Sequence, residues 1–104
     1  MEPGNRVEIA GKLLQLEPLR HTPGGVAVVK FTLGHESTQV EAEAPRKVGC
    51  EIDGVAFDRE ARLLATASLG MQLSIRGFLD RKSRNSRQLV LHATQIEFTK
   101  TSFA

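Results

Sequence analysis

Along much of its length the chain alternates apolar and polar residues with a period of two, and in three places the alternation changes phase. A period of two marks half-buried strands, and a change of phase marks a bulge or bend. Strands that bend repeatedly suit a sheet that curls upon itself. The first break falls in Asn5 to Leu16, where Val7 and Ile9 give way to Leu14 and Leu16, and the bulge is placed around Gly11. The second falls near Gly54 in the strand that begins at Val48, VGCEIDGVAF. The third lies in the last strand, between Leu91 with Ala93 and Ile96 with Phe98.

Between these breaks the remaining elements fall into order. Met1 to Gly4 forms an irregular start, and EPLRHTPGG is a turn-rich loop built on Pro18, Pro23, Gly24 and Gly25. Val26 to His35 is a second strand, with Val29, Phe31 and Leu33 on one face and Lys30 and Thr32 on the other. Glu36 to Lys47 is polar and is expected to be an extended surface loop. Asp58 to Leu69 is the one expected helix: Asp58 caps it, Glu60 suits its first turn, and Gly70 stops it. Its apolar face is Ala61, Leu64, Ala65 and Ser68.

A hairpin follows. Met71, Leu73 and Ile75 alternate with Gln72, Ser74 and Arg76, then Leu89, Leu91 and Ala93 alternate with Val90, His92 and Thr94. Phe31, Phe57, Phe78 and Phe98 are assigned to the core, and Phe103 in the terminal TSFA receives no role. The whole is one domain, residues 1–104, all-β, with five strands and a short helix between the third and fourth. That arrangement matches a closed five-stranded Greek-key barrel of the oligonucleotide-binding (OB) type. A five-stranded open sheet is the alternative that pattern alone leaves standing.

Charge is concentrated at the hairpin tip. The net charge is +2, yet Arg81, Lys82, Arg84 and Arg87 contribute +4, which leaves 10 basic against 12 acidic residues elsewhere, or −2. A local basic patch on a nearly neutral body favours a polyanion-facing surface. Such loops between the fourth and fifth strands of OB barrels embrace oligonucleotides. Arg46 and Lys47, with Arg20 and His21 from the first loop, are candidates to extend the track.

Other chemistries find little support. His21, His35, His92 and Cys50 fit no closed zinc spacing, so no metal or cofactor is expected. Cys50 has no activating base beside it, and Pro23, Gly24 and Gly25 lack the lysine and helix of a phosphate-binding loop. With no paired-carboxylate or nucleophile motif, the chain does not read as an enzyme. No apolar run is long enough to span a bilayer, the start has no secretory character, and the single cysteine forms no internal disulfide. Together these place the chain in a reducing cytoplasm and away from membranes.

The segments NRVEIAGKL (Asn5 to Leu13), PLRHTPGG (Pro18 to Gly25) and VVKFTLGHES (Val28 to Ser37) resemble bacterial single-stranded DNA-binding proteins. GHES at Gly34 to Ser37, Cys50 in the third strand, GFL at Gly77 to Leu79 and LVLHATQIE at Leu89 to Glu97 resemble more closely the primosomal replication protein N branch of that family. The resemblance covers nearly the whole chain. It implies an OB barrel, a homodimer, single-stranded DNA binding without catalysis, and an accessory role that stabilises a restart helicase on DNA and aids helicase-loading proteins. The chain departs from the family pattern at Ala44 and Gly49, which stand where better-known members carry aromatic residues, and at Glu36, where a basic residue is expected. Stacking on a base is worth roughly 1–3 kcal/mol, so weaker and more electrostatic binding is expected. A protein-interaction adaptor with little DNA affinity and an RNA-binding barrel are the competing readings.

Overall fold

The break of phase in the first strand is a change of partner. In the computed structural model, which describes residues 2–99, β1 (Val7–Leu16) pairs with β5 (Gln72–Arg81) from Val7 to Lys12 and with β3 (Ala27–Glu41) from Lys12 to Leu16. One strand thus serves both edges of the sheet and closes it. The bulge that permits this lies between Leu13 and Gln15, not at Gly11, where the pairing is regular. Leu13 is consequently the core residue, and Leu14, expected to face inward, is 39% exposed.

The other strands complete the circuit. β3 pairs antiparallel with β4 (Ala44–Phe57), β4 pairs in parallel with β6 (Leu89–Phe98), and β6 pairs antiparallel with β5. A two-residue strand, β2 (Arg20–His21), adds to β3 at Ala27 and Val28. The five long strands therefore form the expected closed Greek-key barrel, with α1 (Arg59–Leu64) between β4 and β5. Asn5 extends the β1–β5 pairing by side chain: its amide donates to the Leu79 carbonyl at 2.9 Å and accepts from the Leu79 N–H at 3.0 Å.

The third break also proves to be a bulge. Gly77 pairs with Ala93 while Arg76 pairs with Gln95, which leaves Thr94 without a partner residue. Its hydroxyl instead donates to the Arg76 carbonyl at 3.2 Å. Gly77 is required there, because a Cβ at this position would lie 1.8 Å from the His92 carbonyl oxygen. The second expected break is absent. β3 and β4 pair without interruption through Gly54, whose partner Phe31 lays its ring across the space a side chain would fill. Parity therefore holds through Gly54 and Ala56, and Phe57 points outward.

Two further expectations are corrected. Glu36 to Lys47 is not a loop: β3 runs on to Glu41 and β4 starts at Ala44, so these residues are the arms of a long hairpin. The arms are mostly exposed on both faces, so backbone pairing rather than a buried stripe holds them. The helix is shorter than Asp58 to Leu69. It ends at Leu64 because the chain tightens into turns, with the Thr66 N–H and hydroxyl both donating to the Leu63 carbonyl. Asp58 makes no side-chain cap, and its carboxylate instead accepts from Arg62 at 2.9 Å. Ala61 and Leu64 are buried as expected, whereas Ala65 and Ser68 are exposed. At six residues α1 is too short to persist alone, and packing against β3, β4 and β6 holds it.

The barrel is filled by Leu13, Val29, Phe31, Leu33, Leu73, Ile75, Leu91 and Ile96, with Ala61 and Leu64 from the helix. Phe98 packs at its margin, and Phe103 lies outside the described residues. The hairpin turns on Ala42 and Glu43, whose φ values of 51° and 63° are left-handed. Two-residue turns of this kind favour Asn-Gly, and other L-residues there cost roughly 1–2 kcal/mol each. Ala42→Asn combined with Glu43→Gly is therefore expected to slow amide exchange in the hairpin arms by about fivefold or more. Unchanged exchange would mean that turn strain does not limit hairpin opening.

Candidate nucleic-acid interface

The outer face of the barrel carries a groove of about 530 Å³ bounded by β3, β4, β6 and the end of β5. Strand alternation builds it. On β3 the residues between core positions Val29, Phe31 and Leu33 are Lys30 and Thr32, and both line the groove. On β4 the outward residues are Asp53, Val55 and Phe57. On β6 Val90 and His92 flank the buried Leu91. The paired residues Phe31 and Gly54 also line the groove.

The cations expected to bind a polyanion divide into groups. Arg81 and Lys82 line the groove where β5 ends, and Arg84 and Arg87 follow in the connecting loop. All four are exposed. The loop is closed by the Lys82 N–H donating to the Gln88 carbonyl at 2.8 Å, and it is braced by the Arg81 guanidinium donating to the Arg84 carbonyl at 3.1 Å. Arg20 and His21 lie on β2, exposed, with Arg20 3.7 Å from Glu17.

Arg46 and Lys47 are not brought to the groove. They pair with Gln39 and Thr38 on the hairpin arm, and Arg46 forms a 3.0 Å ion pair with Glu41. Seven residues of strand separate Thr32 from Gln39, about 24 Å at ~3.4 Å per residue. Cys50 lies exposed on the same arm opposite His35. Among the described residues, no three His, Cys, Asp or Glu side chains come together as a metal site.

Groove charge is balanced: Lys30, Arg81 and Lys82 face Glu17, Asp53 and Asp80. All three anions are engaged, Asp53 by the Thr32 hydroxyl at 3.0 Å, Asp80 by the Arg81 N–H at 2.7 Å and Glu17 by Arg20. The excess of positive charge therefore sits in the loop beside the groove.

Two phenylalanines assigned to the core are found outside it. Phe57 is 41% exposed and Phe78 is 38% exposed. Both stack on His92, Phe78 at 4.9 Å between ring centroids and 9° between planes, Phe57 at 6.0 Å and 18°. The placement follows from register, because His92 is opposite Phe78 on β5 and beside Val55 on β4, two residues before Phe57. The outward direction of Phe78 alone has a local signal, since it shares parity with Gln72, Ser74 and Arg76, against Leu73 and Ile75. Lys30 was legible as outward-facing, but nothing in the sequence tied it to the loop.

The barrel has known counterparts. Residues 5–95 match a family model described as a single-strand binding protein family. The chain is 37% identical over 91 residues to the replication restart protein PriB of Bordetella pertussis, covering 88% of this chain and 85% of that one. The chain belongs to the PriB family. A second member, from Nitrosomonas europaea, is 36% identical over 88 residues, covering 85% of this chain and 82% of the relative. The solved structure of PriB from Ralstonia solanacearum superposes with a TM-score of 0.83 at 30% identity, over 93% of this chain and 100% of that one. The single-stranded DNA binding protein of Thermus aquaticus shares the fold, with a TM-score of 0.73 at 20% identity over 92% of this chain and half of that longer one. The resemblance read from the sequence, to primosomal replication protein N and the wider single-strand binding family, is therefore borne out.

Proposed function

We propose that this PriB-family chain is a non-catalytic accessory protein of replication restart that binds single-stranded DNA across the outer face of its barrel. The observation that carries this reading is the basic loop Arg81 to Arg87 standing beside a groove on the face that OB barrels use for oligonucleotides. Bases occupy the charge-balanced groove, and phosphates follow Arg81, Lys82, Arg84 and Arg87. Lys30 faces them from the opposite wall, with Arg20 and His21 at one end. Arg46 and Lys47 serve a strand that continues along the hairpin. A homodimer doubles this surface, and a restart helicase and its loading proteins are the partners such a complex serves.

Fluorescence anisotropy with matched single-stranded DNA, RNA and duplex oligomers tests the proposal. Single-stranded DNA is expected to bind most tightly. A preference for duplex would oppose the reading, since a groove for unstacked bases has no use for paired ones. A preference for the RNA oligomer would point to recognition of the 2′-hydroxyl.

A further inference from the structure

The three-ring stack reaches the groove wall at Phe57 and His92, and its phenylalanines belong to no core cluster. An isolated exposed phenylalanine needs no explanation. Two of them, aligned on a histidine at 4.9 and 6.0 Å and left 38% and 41% exposed, form an ordered aromatic surface open to solvent. Its Phe57 end lines the groove together with Lys30 and Lys82. Aromatic side chains beside cations are how single strands are held without regard to sequence, because every base offers a π-face. The expected aromatic positions, Ala44 and Gly49, are vacant of rings and lie on the exposed part of β4.

We propose that the Phe57 end of the Phe57–His92–Phe78 stack is a base-stacking platform, on which a nucleobase lies while the adjoining phosphates meet the basic loop. The platform occupies β4, β5 and β6 rather than the hairpin arm, and it replaces the stacking that Ala44 and Gly49 cannot supply. His92 holds the two phenylalanines in line, and balanced groove charge leaves the base-facing surface without a competing phosphate site. This inference rests on the proposed single-strand binding, and the two fail separately.

The test compares a labelled oligothymidine with an abasic deoxyribose-phosphate chain of the same length, which keeps the charge and removes the bases. The protein is expected to bind the oligothymidine about tenfold more tightly than the abasic chain. Phe57→Ala is expected to remove that preference, weakening oligothymidine binding about tenfold while leaving abasic binding and the salt dependence as they were. Because the chain has no Trp and no Tyr, Phe57→Trp supplies a reporter whose emission is expected to be quenched by oligothymidine and not by the abasic chain. If Phe57→Ala binds both oligomers as the parent does, or if the Phe57→Trp emission ignores bound oligothymidine, the platform is overturned. A parent protein that binds neither oligomer would overturn the proposed function itself.

Discussion

Replacing Arg81, Lys82, Arg84 and Arg87 together with glutamate is expected to lower affinity for an oligothymidine by at least roughly 1,000-fold at ~50 mM salt. Each neutralised phosphate contributes about 0.7 to the log–log salt slope of single-strand binding, so four give a slope of about −3. Between 1 M and 0.05 M salt that slope amounts to more than three decades of affinity, and reversed charges add repulsion. The folded barrel should not suffer. All four side chains are exposed, and among the described residues none of them joins an ion pair. The melting temperature of the variant is expected to stay within a few degrees of the parent. Unchanged affinity and slope would remove the loop from the binding site.

The second large effect is on the fold, at Gly77→Ala. The added Cβ would meet the His92 carbonyl oxygen at 1.8 Å and its carbon at 2.8 Å, both backbone atoms held in the β5–β6 ladder. No side chain can rotate aside to relieve such a contact. Either the bulge at Thr94 opens or the strands part, and a loss of roughly 3 kcal/mol or more is expected. For a chain of this size that lowers the melting temperature by more than about 10 °C. Gly49→Ala provides the control: nothing lies within 4 Å of its Cβ position, and its melting temperature should be unchanged or slightly higher. A Gly77→Ala protein that melts with the parent would show that the pairing around the bulge differs from that described.

What could be read from the sequence follows from where a core exists to impress its pattern. Leu73, Ile75, Leu91 and Ala93 alternate because one side of each strand is buried, so β5 and β6 were legible, whereas closure of the sheet was not fixed by pattern alone and came with the family resemblance. The arms from Glu36 to Lys47 leave the barrel and have no face to bury. Their sequence is polar in both parities and resembles a loop. The break at Gly54 was misread because a glycine stands where an apolar residue belongs, while the missing volume is supplied by Phe31 from across the strand pair. With parity kept through Gly54, Phe57 faces outward. Apolar character drew Phe78 into the core, although its parity with Arg76 placed it outside. The basic loop was legible in the charge pattern, whereas the Phe57–His92–Phe78 stack depends on register between three strands, which no local pattern encodes.

The most direct measurement is a salt titration of oligothymidine binding to the unmodified protein, read by anisotropy from ~50 mM upward. A log–log slope of about −3 is expected, the signature of about four phosphates met by the loop cations. A slope near zero, or no binding at ~50 mM salt, would contradict single-strand binding through Arg81, Lys82, Arg84 and Arg87.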